Sequence, residues 1–176
     1  MKVLDLFSGL GGFSQAFKDR GHDVTTLDNE PAFNPTILAD IRSYRGVIPY
    51  DVVLASPPCQ EFSKSSLPQT WPSVVRYGCK PSTALLLEAI RVIMTVKPRF
   101  WVIENVRGAV RFFKPIIGPP VKVVGSRYLW GSFPIFDTPA RYGKWKLPPS
   151  KDRAALRSLI PYNISWALCA AMEREL

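Results

Sequence analysis

Length, composition and charge already exclude several classes of protein. The chain has 176 residues with 23 basic and 14 acidic side chains, so its formal net charge is +9. A chain that is 47% hydrophobic and 21% charged is not disordered, and its length fits a single domain over residues 1–176. No apolar run reaches the ~18 residues of a membrane span, and the apolar run after Lys2 is too short for a signal peptide, so we expect a cytoplasmic protein. Three cysteines and one histidine are too few for a zinc site, so we expect no metal.

The basic charge is concentrated in the back of the sequence. Residues 1–60 carry 5 basic and 7 acidic side chains, whereas residues 61–176 carry 18 basic and 7 acidic ones. This asymmetry favours a polyanionic partner such as nucleic acid. A generally basic, solvated surface explains the charge equally well, so both interpretations stay open at this point.

In the first part of the sequence, predicted strands alternate with predicted helices. The strands cover 2–7, 23–27, 37–39, 51–55 and 100–103, and the helices cover 12–20 and 83–96, the second with Ser82 as its N-cap. Residues 60–81 lack periodicity and form a long loop, which is usually a functional feature. The alternation favours an α/β fold with a mostly parallel sheet and helices on both faces.

The back part of the sequence predicts a hairpin, a loop and a last helix. Two short strands, 121–124 and 128–130, surround Gly125-Ser126 and are typical of a tight hairpin. Residues 131–151 are rich in proline, lysine and aromatic residues, which indicates an open loop. Pro161 opens the last helix, whose apolar residues follow helical spacing from Ile164 to Met172.

A glycine-rich turn and an acid follow the first two predicted strands. Gly9, Gly11 and Gly12 come directly after the first strand, where glycine lets the backbone approach a ligand closely. Asp28 ends the second strand, where a carboxylate accepts hydrogen bonds from the hydroxyls of a ribose. Turns also need glycine, but glycines and acid together favour a nucleoside cofactor. The spacing does not match a phosphate loop, which disfavours ATP.

Cys59 and Glu104 follow two further strands. Cys59 lies behind Pro57-Pro58, where a thiolate would be a good nucleophile, although buried structural cysteines are common. Glu104 ends an apolar strand, where a half-buried carboxyl group would have a raised pKa and carry a proton near neutrality. A helix-capping or ion-paired glutamate is the alternative. A nucleophilic cysteine with a protonated glutamate suits addition to an electron-poor ring.

Three motifs resemble those of the cytosine-C5 DNA methyltransferases. Asp5 to Ser14 (DLFSGLGGFS) resembles the S-adenosylmethionine motif, Ser56 to Ser63 (SPPCQEFS) the Pro-Cys motif, and Glu104 to Val106 the Glu-Asn-Val motif. They occur in the order of the family. The resemblance implies a Rossmann-like, S-adenosylmethionine-dependent methyltransferase fold with a mostly parallel sheet and a terminal β-hairpin. It covers residues 1–134, with a looser match at 156–172.

The resemblance also implies roles for individual residues. Cys59 would attack C6 of a flipped cytosine, Glu104 would hold and help protonate N3, and Arg127 would contact the base carbonyl. Asp28 would bind the ribose, and Asp40 and Ile41 the adenine. The full cofactor-binding set would be Asp5, Phe7, Ser8, Gly9, Gly11, Gly12, Asp28, Asp40, Ile41, Pro58 and Ser158. The loop 60–81 would close over the base, with Lys64, Arg76 and Lys80 near phosphates.

The sequence departs from the family in its back part. In Gly125 to Gly131 only Arg127 remains of a Gln-x-Arg-x-Arg segment, and Leu156 to Ser158 stands where the family has Gly-Asn-Ser. A basic loop, 132–151, stands in place of the target-recognition region. It brings Arg141, Tyr142, Lys144, Trp145, Lys146 and Lys151 as candidate DNA contacts. We therefore expect short or relaxed specificity, unless a partner subunit supplies recognition.

Three functions stay open at the level of the sequence. Transfer of a methyl group from S-adenosylmethionine to C5 of cytosine in DNA is the preferred one. The first alternative is the same reaction on RNA, because a related branch of the family methylates tRNA. The second is a catalytically silent nucleic-acid-binding subunit, which the departures around Arg127 favour and the retention of Cys59 and Glu104 disfavours.

Overall fold

The computed structural model describes residues 1–46, 48–63, 81–138, 156 and 158–176. The strands in these ranges are β1 (Lys2–Leu6), β2 (Asp23–Asp28), β3 (Ile37–Leu38), β4 (Val52–Ala55), β5 (Phe100–Val106), β6 (Lys122–Val124) and β7 (Arg127–Ser132). The helices are α1 (Gln15–Asp19), α2 (Ala84–Val96), α3 (Val110–Ile117) and α4 (Tyr162–Glu173), with short 3-10 turns at Pro31–Phe33 and Arg107–Ala109. In these ranges, no helix is long and apolar enough to cross a membrane.

The described strands form one sheet in the order β3-β2-β1-β4-β5-β7-β6. β1 to β5 are parallel to one another, whereas β7 runs antiparallel to β5 and forms a hairpin with β6. The predicted α/β fold, with a mostly parallel sheet and a terminal hairpin, is confirmed. β2 and β3 lie on one side of β1, whereas β4 and β5 lie on the other side. Where the strand order switches sides in this way, a crevice forms at the carboxyl ends of the strands.

Each face of the sheet is covered by different helices. Val3, Val52 and Leu54 pack on one face against α1 and α4, where Phe17 and Leu168 are fully buried. Neighbouring residues in the same strands point to the other face, where Leu4 and Val53 pack with residues of α2 and α3. Because strand residues alternate between faces, continuous apolar strands bury both sides of the sheet. Polar side chains that could bind a ligand are therefore found at the ends of the strands.

The antiparallel hairpin makes two strands longer than the sequence predicts. β5 continues to Val106, so Glu104 and Asn105 lie within the strand and not past its end, as the prediction of 100–103 had it. The reason is the ladder with β7, which pairs Glu104 with Leu129 and Val106 with Arg127. β7 likewise continues to Ser132 in the stretch that was expected to be open loop.

The first helix begins later than predicted, and another helix is not predicted at all. α1 begins at Gln15 and not at residue 12, because the preceding residues form the turn after β1. α2 begins at Ala84 with Thr83 at the N-cap position, while the hydroxyl of Ser82 accepts a hydrogen bond from the Ala84 amide. α3, which contains Pro115, has no counterpart among the predicted elements.

Candidate active site

A cavity of about 720 Å³ opens at the carboxyl ends of β1, β2, β4 and β5. This volume lies within the roughly 300–1,000 Å³ of typical small-molecule sites. The predicted site residues that line it are Asp5, Phe7, Ser8, Gly9, Gly12, Asp28, Pro58, Cys59, Glu104, Arg127 and Ser158. The fold therefore brings together residues from six separate segments of the chain.

The turn after β1 forms the floor of the cavity. Gly11 has φ +78°, and its amide donates to the carbonyl oxygen of Ser8 at 2.8 Å. Only glycine takes this backbone conformation without strain. Gly12 lets the turn pack closely against the segment before α4. A Cβ atom at this position would lie 2.6 Å from the Leu159 side chain and 2.9 Å from the carbonyl oxygen of Ile160. The turn is thus shaped by the segment that precedes α4.

α4 also holds the turn from behind. The buried hydroxyl of Ser165 donates to the carbonyl oxygen of Phe13 at 2.6 Å and accepts from the Ala16 amide at 3.1 Å. The second bond satisfies an amide at the start of α1 that the helix itself leaves without a partner. Ser165 therefore connects the glycine turn and α1 to the last helix.

Asp28 lies at the end of β2 and is almost fully buried. Its Oδ2 accepts from the Gly9 amide at 2.8 Å, and its Oδ1 accepts from the Glu30 amide at 3.0 Å. Each carboxylate oxygen keeps a further lone pair, so the group can still accept hydrogen bonds from a ligand. Asp28 is fixed in place against the glycine turn and lines the cavity.

Asp5 is a fully buried carboxyl group in the wall of the cavity. Its Oδ2 accepts from the Ser14 hydroxyl at 2.5 Å, while its buried Oδ1 has no hydrogen-bond partner in the structure. Burial raises the pKa of Asp5 to about 7, against a smaller lowering by Ser14. An unpartnered buried acceptor of this kind needs an explanation, and a ligand that donates a hydrogen bond from within the cavity would supply one.

Cys59, Glu104 and Arg127 meet at the other end of the cavity. Glu104 is 2% exposed, its Oε2 accepts from the Ser56 hydroxyl at 2.7 Å, and its Oε1 accepts from Arg127 Nη1 at 3.2 Å. Arg127 Nη2 also donates to the carbonyl oxygen of Leu159 at 2.9 Å. Arg127 therefore connects the carboxylate beside Cys59 to the wall formed by residues 158–160.

The turn that carries Cys59 is held by its own backbone and by β5. The carbonyl oxygen of Cys59 accepts from the amides of Phe62 and Ser63, and the side-chain amide of Asn105 donates to the carbonyl oxygen of Pro57 at 3.0 Å. Asn105 is fully buried. The thiol is thereby fixed relative to Glu104, the residue before Asn105.

Burial raises the pKa of both Cys59 and Glu104. It raises the pKa of Glu104, against the lowering effects of Arg127 and Ser56. Burial also raises the pKa of the Cys59 thiol, and the negative charge of Glu104 raises it further while Arg127 lowers it. The two groups are coupled, because a charge on one disfavours a charge on the other. Neutralising Glu104 would therefore favour the thiolate.

Three predicted cofactor residues do not line the cavity. Gly11 contributes through the turn alone. Ile41 is 3% exposed and packs in the core on the α2 side of the sheet. Asp40 is paired with Arg42, whose Nη1 lies 2.8 Å from Asp40 Oδ2. The adenine-binding roles of Asp40 and Ile41 remain predictions that this geometry does not support.

Residues 1–114 match the family model described as C-5 cytosine-specific DNA methylase. The chain belongs to this family. The family match ends within α3 and thus includes Cys59 and Glu104, but it does not include Arg127 or the segment before α4. The family expected from the three motifs is confirmed.

Curated relatives agree with this assignment, and a solved structure shares the fold. The chain is 30% identical to the Type II methyltransferase M1.HphI of Haemophilus parahaemolyticus, over 60% of this chain and 32% of that protein. It is 27% identical to the Type II methyltransferase M.DdeI of Desulfomicrobium norvegicum, over 72% of this chain and 34% of that protein. The chain thus spans about a third of the length of these relatives. The solved structure of a protein encoded within a prophage of E. coli has the same fold, with a TM-score of 0.51 and 24% identity over 74% of this chain and 46% of that one.

Sequence reasoning missed the residues that orient the family's reactive groups. Ser56 and Asn105 lie within the quoted motifs, but the sequence analysis gave neither of them a role. Each acts across 48 residues of sequence, Ser56 on Glu104 and Asn105 on Pro57. A usable signal was the position of both polar residues beside a reactive residue at the end of an apolar strand.

Several predicted nucleic-acid contacts lie outside the described residues. These are Lys64, Arg76 and Lys80 of the loop 60–81, and Arg141, Tyr142, Lys144, Trp145, Lys146 and Lys151 of the basic loop 132–151. Cys79 lies outside them as well. Their roles stay predictions.

Proposed function

We propose that the chain transfers a methyl group from S-adenosylmethionine to C5 of cytosine in DNA through a covalent adduct on Cys59. One observation carries the proposal: Cys59 and the Glu104–Arg127 pair line the same cavity as the glycine turn and Asp28. The proposed nucleophile, the proposed proton donor and the proposed nucleoside site thus line one cavity. Membership of the family supports the same reaction.

The residues present fit the cofactor. The cavity has a suitable volume, Asp28 has free lone pairs for ribose hydroxyls, and the buried Oδ1 of Asp5 lacks a hydrogen-bond donor. Asp28 and the turn from Ser8 to Gly12 would hold the nucleoside and amino-acid parts. When bound, the cofactor supplies an electrophilic methyl group.

Cys59 and Glu104 would activate the cytosine together. A target base must leave the DNA stack to reach this cavity. The Cys59 thiol gives its proton to solvent, and the resulting thiolate forms a bond to C6 while Glu104 donates a proton to N3, so negative charge does not accumulate on the ring. Its raised pKa suits Glu104 to this donation. Because the Glu104 carboxyl group would contact the base directly, its proton would move to N3 along a single hydrogen bond.

Arg127 and Ser56 would keep Glu104 in position during the reaction. Both donate to its carboxylate, one to each oxygen. After methylation at C5, water acts as the base that removes the C5 proton, the Cys59 sulfur leaves as the thiolate, and N3 returns its proton to Glu104, which restores the aromatic ring. Arg127 would also contact the base carbonyl, as the resemblance implies.

Labelled methyl transfer with purified chain tests the proposal. Duplex DNA and tRNA are offered separately with labelled S-adenosylmethionine, and bisulfite sequencing locates the product. We expect labelled DNA from the wild type, none from Cys59→Ser, and activity close to wild type from the matched control Cys79→Ser. DNA with 5-fluorocytosine at the target should form a covalent adduct, because fluorine does not leave as a proton does. Labelled tRNA with unlabelled DNA would establish the RNA alternative, and transfer to neither would favour a silent binding subunit.

The finer features expected from the sequence are proposed with the reaction. We propose short or relaxed specificity for this chain alone, with a partner subunit as the other source of recognition. The same bisulfite experiment reads the target, and a strict site of six or more base pairs would contradict relaxed specificity, since each directly read base pair needs its own side-chain contacts of about 1–3 kcal/mol. A cytoplasmic location stays a prediction.

A further inference from the structure

A segment that begins beside the opening of the candidate cavity carries basic side chains on its outer face. Arg107 directly follows β5, at the same carboxyl end of the sheet as Cys59 and Glu104. From there a short 3-10 turn and α3 lead away from the opening. Arg107, Arg111 and Lys114 are all exposed. These three residues are called the basic stripe below.

Helical spacing places the basic stripe on one face of this segment. Its residues stand at positions i, i+4 and i+7, which are neighbours on the surface of a helix. The opposite face is apolar, and Ala109 and Phe113 on it are fully buried on the α2 side of the sheet. With a rise of about 1.5 Å per residue, the stripe forms a row of positive charges about 10 Å long.

α3 is fixed relative to the turn that carries Cys59. The buried ring of Phe62, three residues after Cys59, packs edge to face on Phe113 with the ring centroids 5.4 Å apart. It also contacts Phe112, with the centroids 5.8 Å apart, and Phe113 packs against Trp130. Such aromatic pairs contribute about 0.5–1.5 kcal/mol each beyond their burial. The basic stripe therefore keeps a defined position relative to the proposed nucleophile.

The basic stripe has no acidic residues near it in the sequence. Residues 105–136 contain no aspartate or glutamate. The other two basic residues of this range, Lys122 and Arg127, are each paired with a carboxylate. Within the described residues, no carboxylate forms an ion pair with Arg107 or Lys114. A row of positive charge of this kind fits a polyanion.

We propose that the basic stripe binds the phosphate backbone of duplex DNA beside the base that enters the cavity. The inference rests on the proposed function and adds a surface that holds its substrate. A nucleotide that leaves the stack stays joined to its neighbours in the strand, so phosphates lie at the opening while its base lies near Cys59. Phosphate contacts position a protein on DNA and carry no base sequence, which agrees with the relaxed specificity proposed for this chain.

The salt dependence of DNA binding tests the inference, and a duplex of any sequence is suitable. Fluorescence anisotropy of labelled duplex DNA, with S-adenosylhomocysteine present, gives the affinity at several salt concentrations. Each phosphate contact contributes about 0.9 to the slope of log K against log salt. The stripe variant Arg107→Gln/Arg111→Gln/Lys114→Gln should therefore lower the slope by up to about 2.7, and it should bind at least about tenfold more weakly at ~0.1 M salt.

A second variant keeps the contact of Arg111 with the helix. The Arg111 guanidinium lies over the ring of Phe112, 5.3 Å from its centroid. Arg107→Gln/Lys114→Gln leaves this contact in place and should lower the slope by up to about 1.8. At saturating DNA, both variants should transfer methyl groups at the wild-type rate, but they should need more DNA to reach saturation.

The matched control removes the same charge from the opposite end of the sheet. Lys2 begins β1, and Lys97 and Arg174 are the C-caps of α2 and α4. All three are exposed. Lys2→Gln/Lys97→Gln/Arg174→Gln lowers the net charge as much as the stripe variant does, and its salt slope should stay close to that of the wild type. Thermal unfolding and binding of S-adenosylhomocysteine should match the wild type in every variant.

The outcomes separate this inference from the proposed function. Equal slopes in the wild type and both stripe variants, or equal losses in the stripe and control variants, would overturn the role of the stripe and leave the proposed function intact. A wild type that binds no DNA would also overturn it, and a loss confined to tRNA offered in place of the duplex would exclude duplex DNA as the partner. A chain that binds DNA through the stripe but transfers no methyl group would support this inference and count against the proposed function.

Discussion

Glu104 lies at the carboxyl ends of the strands and Glu173 lies near their amino ends, and both accept hydrogen bonds from an arginine. Glu104 pairs with Arg127 and Ser56, and Glu173 pairs with Arg20 and His22. The Glu104 side chain is 3% exposed and the Glu173 side chain 25% exposed. Burial raises the pKa of Glu104, whereas the hydrogen bond from Arg20 lowers the pKa of Glu173. Burial, and not the presence of an arginine, decides the direction.

The same contrast separates the proposed catalytic cluster around Glu104 from the cluster around Glu173. His22, Cys169 and Glu173 place possible ligand atoms within 4.8 Å of one another, but Arg20 donates to both oxygens of Glu173. Arg20 therefore already neutralises the negative charge of Glu173, which a bound metal ion would otherwise do. At Glu104 the arginine donates to Oε1 and Ser56 donates to Oε2, and the carboxyl group faces a cavity.

The largest expected effect is on catalysis at the buried glutamate. Glu104→Gln keeps the shape of the side chain but removes its proton-donating carboxyl group, so we expect methyl transfer to slow by about 100- to 10,000-fold. Binding of S-adenosylhomocysteine should stay close to wild type. Single-turnover rates with labelled S-adenosylmethionine measure the effect, with Glu173→Gln as the matched control at a wild-type rate. Equal rates in the two variants would remove the distinction between the clusters.

The second effect is a pH dependence of stability from Asp5, the other buried acid at the carboxyl ends. Its pKa of about 7 lies above the ordinary value of 3.8, so the folded protein binds the proton more tightly than the unfolded chain. This contribution to stability is fully present below about pH 4 and is lost as the pH rises towards 7. Asp5→Asn should therefore leave stability unchanged at about pH 4 and raise it at about pH 8, by up to about 4 kcal/mol.

Urea unfolding across this pH range measures the effect of Asp5→Asn. Unfolding is followed by circular dichroism. The companion variant Ser14→Ala removes the hydrogen bond to Asp5 and keeps its carboxyl group, so it separates the effect of the charge from the effect of the hydrogen bond. A difference between Asp5→Asn and the wild type that stays constant from acid to alkaline pH would mean that Asp5 does not titrate in the folded protein.

A smaller effect is expected at the hydroxyl that orients Glu104. Ser56→Ala removes one hydrogen bond to a buried carboxylate, a loss of about 1.5 kcal/mol that corresponds to about tenfold in rate. Because the Ser56 hydroxyl lowers the pKa of Glu104, the variant should also shift the Glu104 limb of the pH–rate profile to higher pH. Ser56→Thr retains the hydroxyl and should restore both. A slower rate with an unchanged pH profile would indicate a packing effect alone.

The smallest effect is expected at Glu173, whose side chain is more exposed than that of Glu104. Because the pKa of Glu173 is lowered, its stabilising contribution is present above about pH 4.5 and is lost as the pH falls through the value in the folded protein. Glu173→Gln should cost less than about 1 kcal/mol at neutral pH and nothing in acid. Thermal unfolding at low and high salt measures it, and a larger loss that salt does not reduce would argue against a surface ion pair.

The sequence predicts the elements whose ends are set locally. Cys59 and Asp28 were found because an apolar strand stops at proline or at a turn, and the backbone there cannot continue the strand. The end of β5 was misjudged because the pairing of Val106 with Arg127 sets it, and that contact belongs to the hairpin. α3 has no counterpart among the predicted elements, so the alignment of basic side chains along its outer face was not predicted.

Burial is harder to derive from the sequence than position. The resemblance identifies Asp5 as a cofactor residue, but its complete burial depends on α1 and α4 covering the same face of the sheet. The orienting bonds of Ser56 and Asn105 depend likewise on the register between β4 and β5. These are properties of packing between segments that lie far apart in the chain.

The bonds of Ser165 have a consequence for the order in which the molecule assembles. They span 149 and 152 residues of sequence, so Ser165 must have emerged from the ribosome before the glycine turn acquires its support. The parallel strands β1, β2 and β4 become available long before that moment. Contacts of such long range form slowly, and a growing chain exposes the apolar face of its sheet until α4 arrives. A fragment limited to residues 1–114 would keep Cys59 and Glu104 and lack the hydrogen bonds of Ser165.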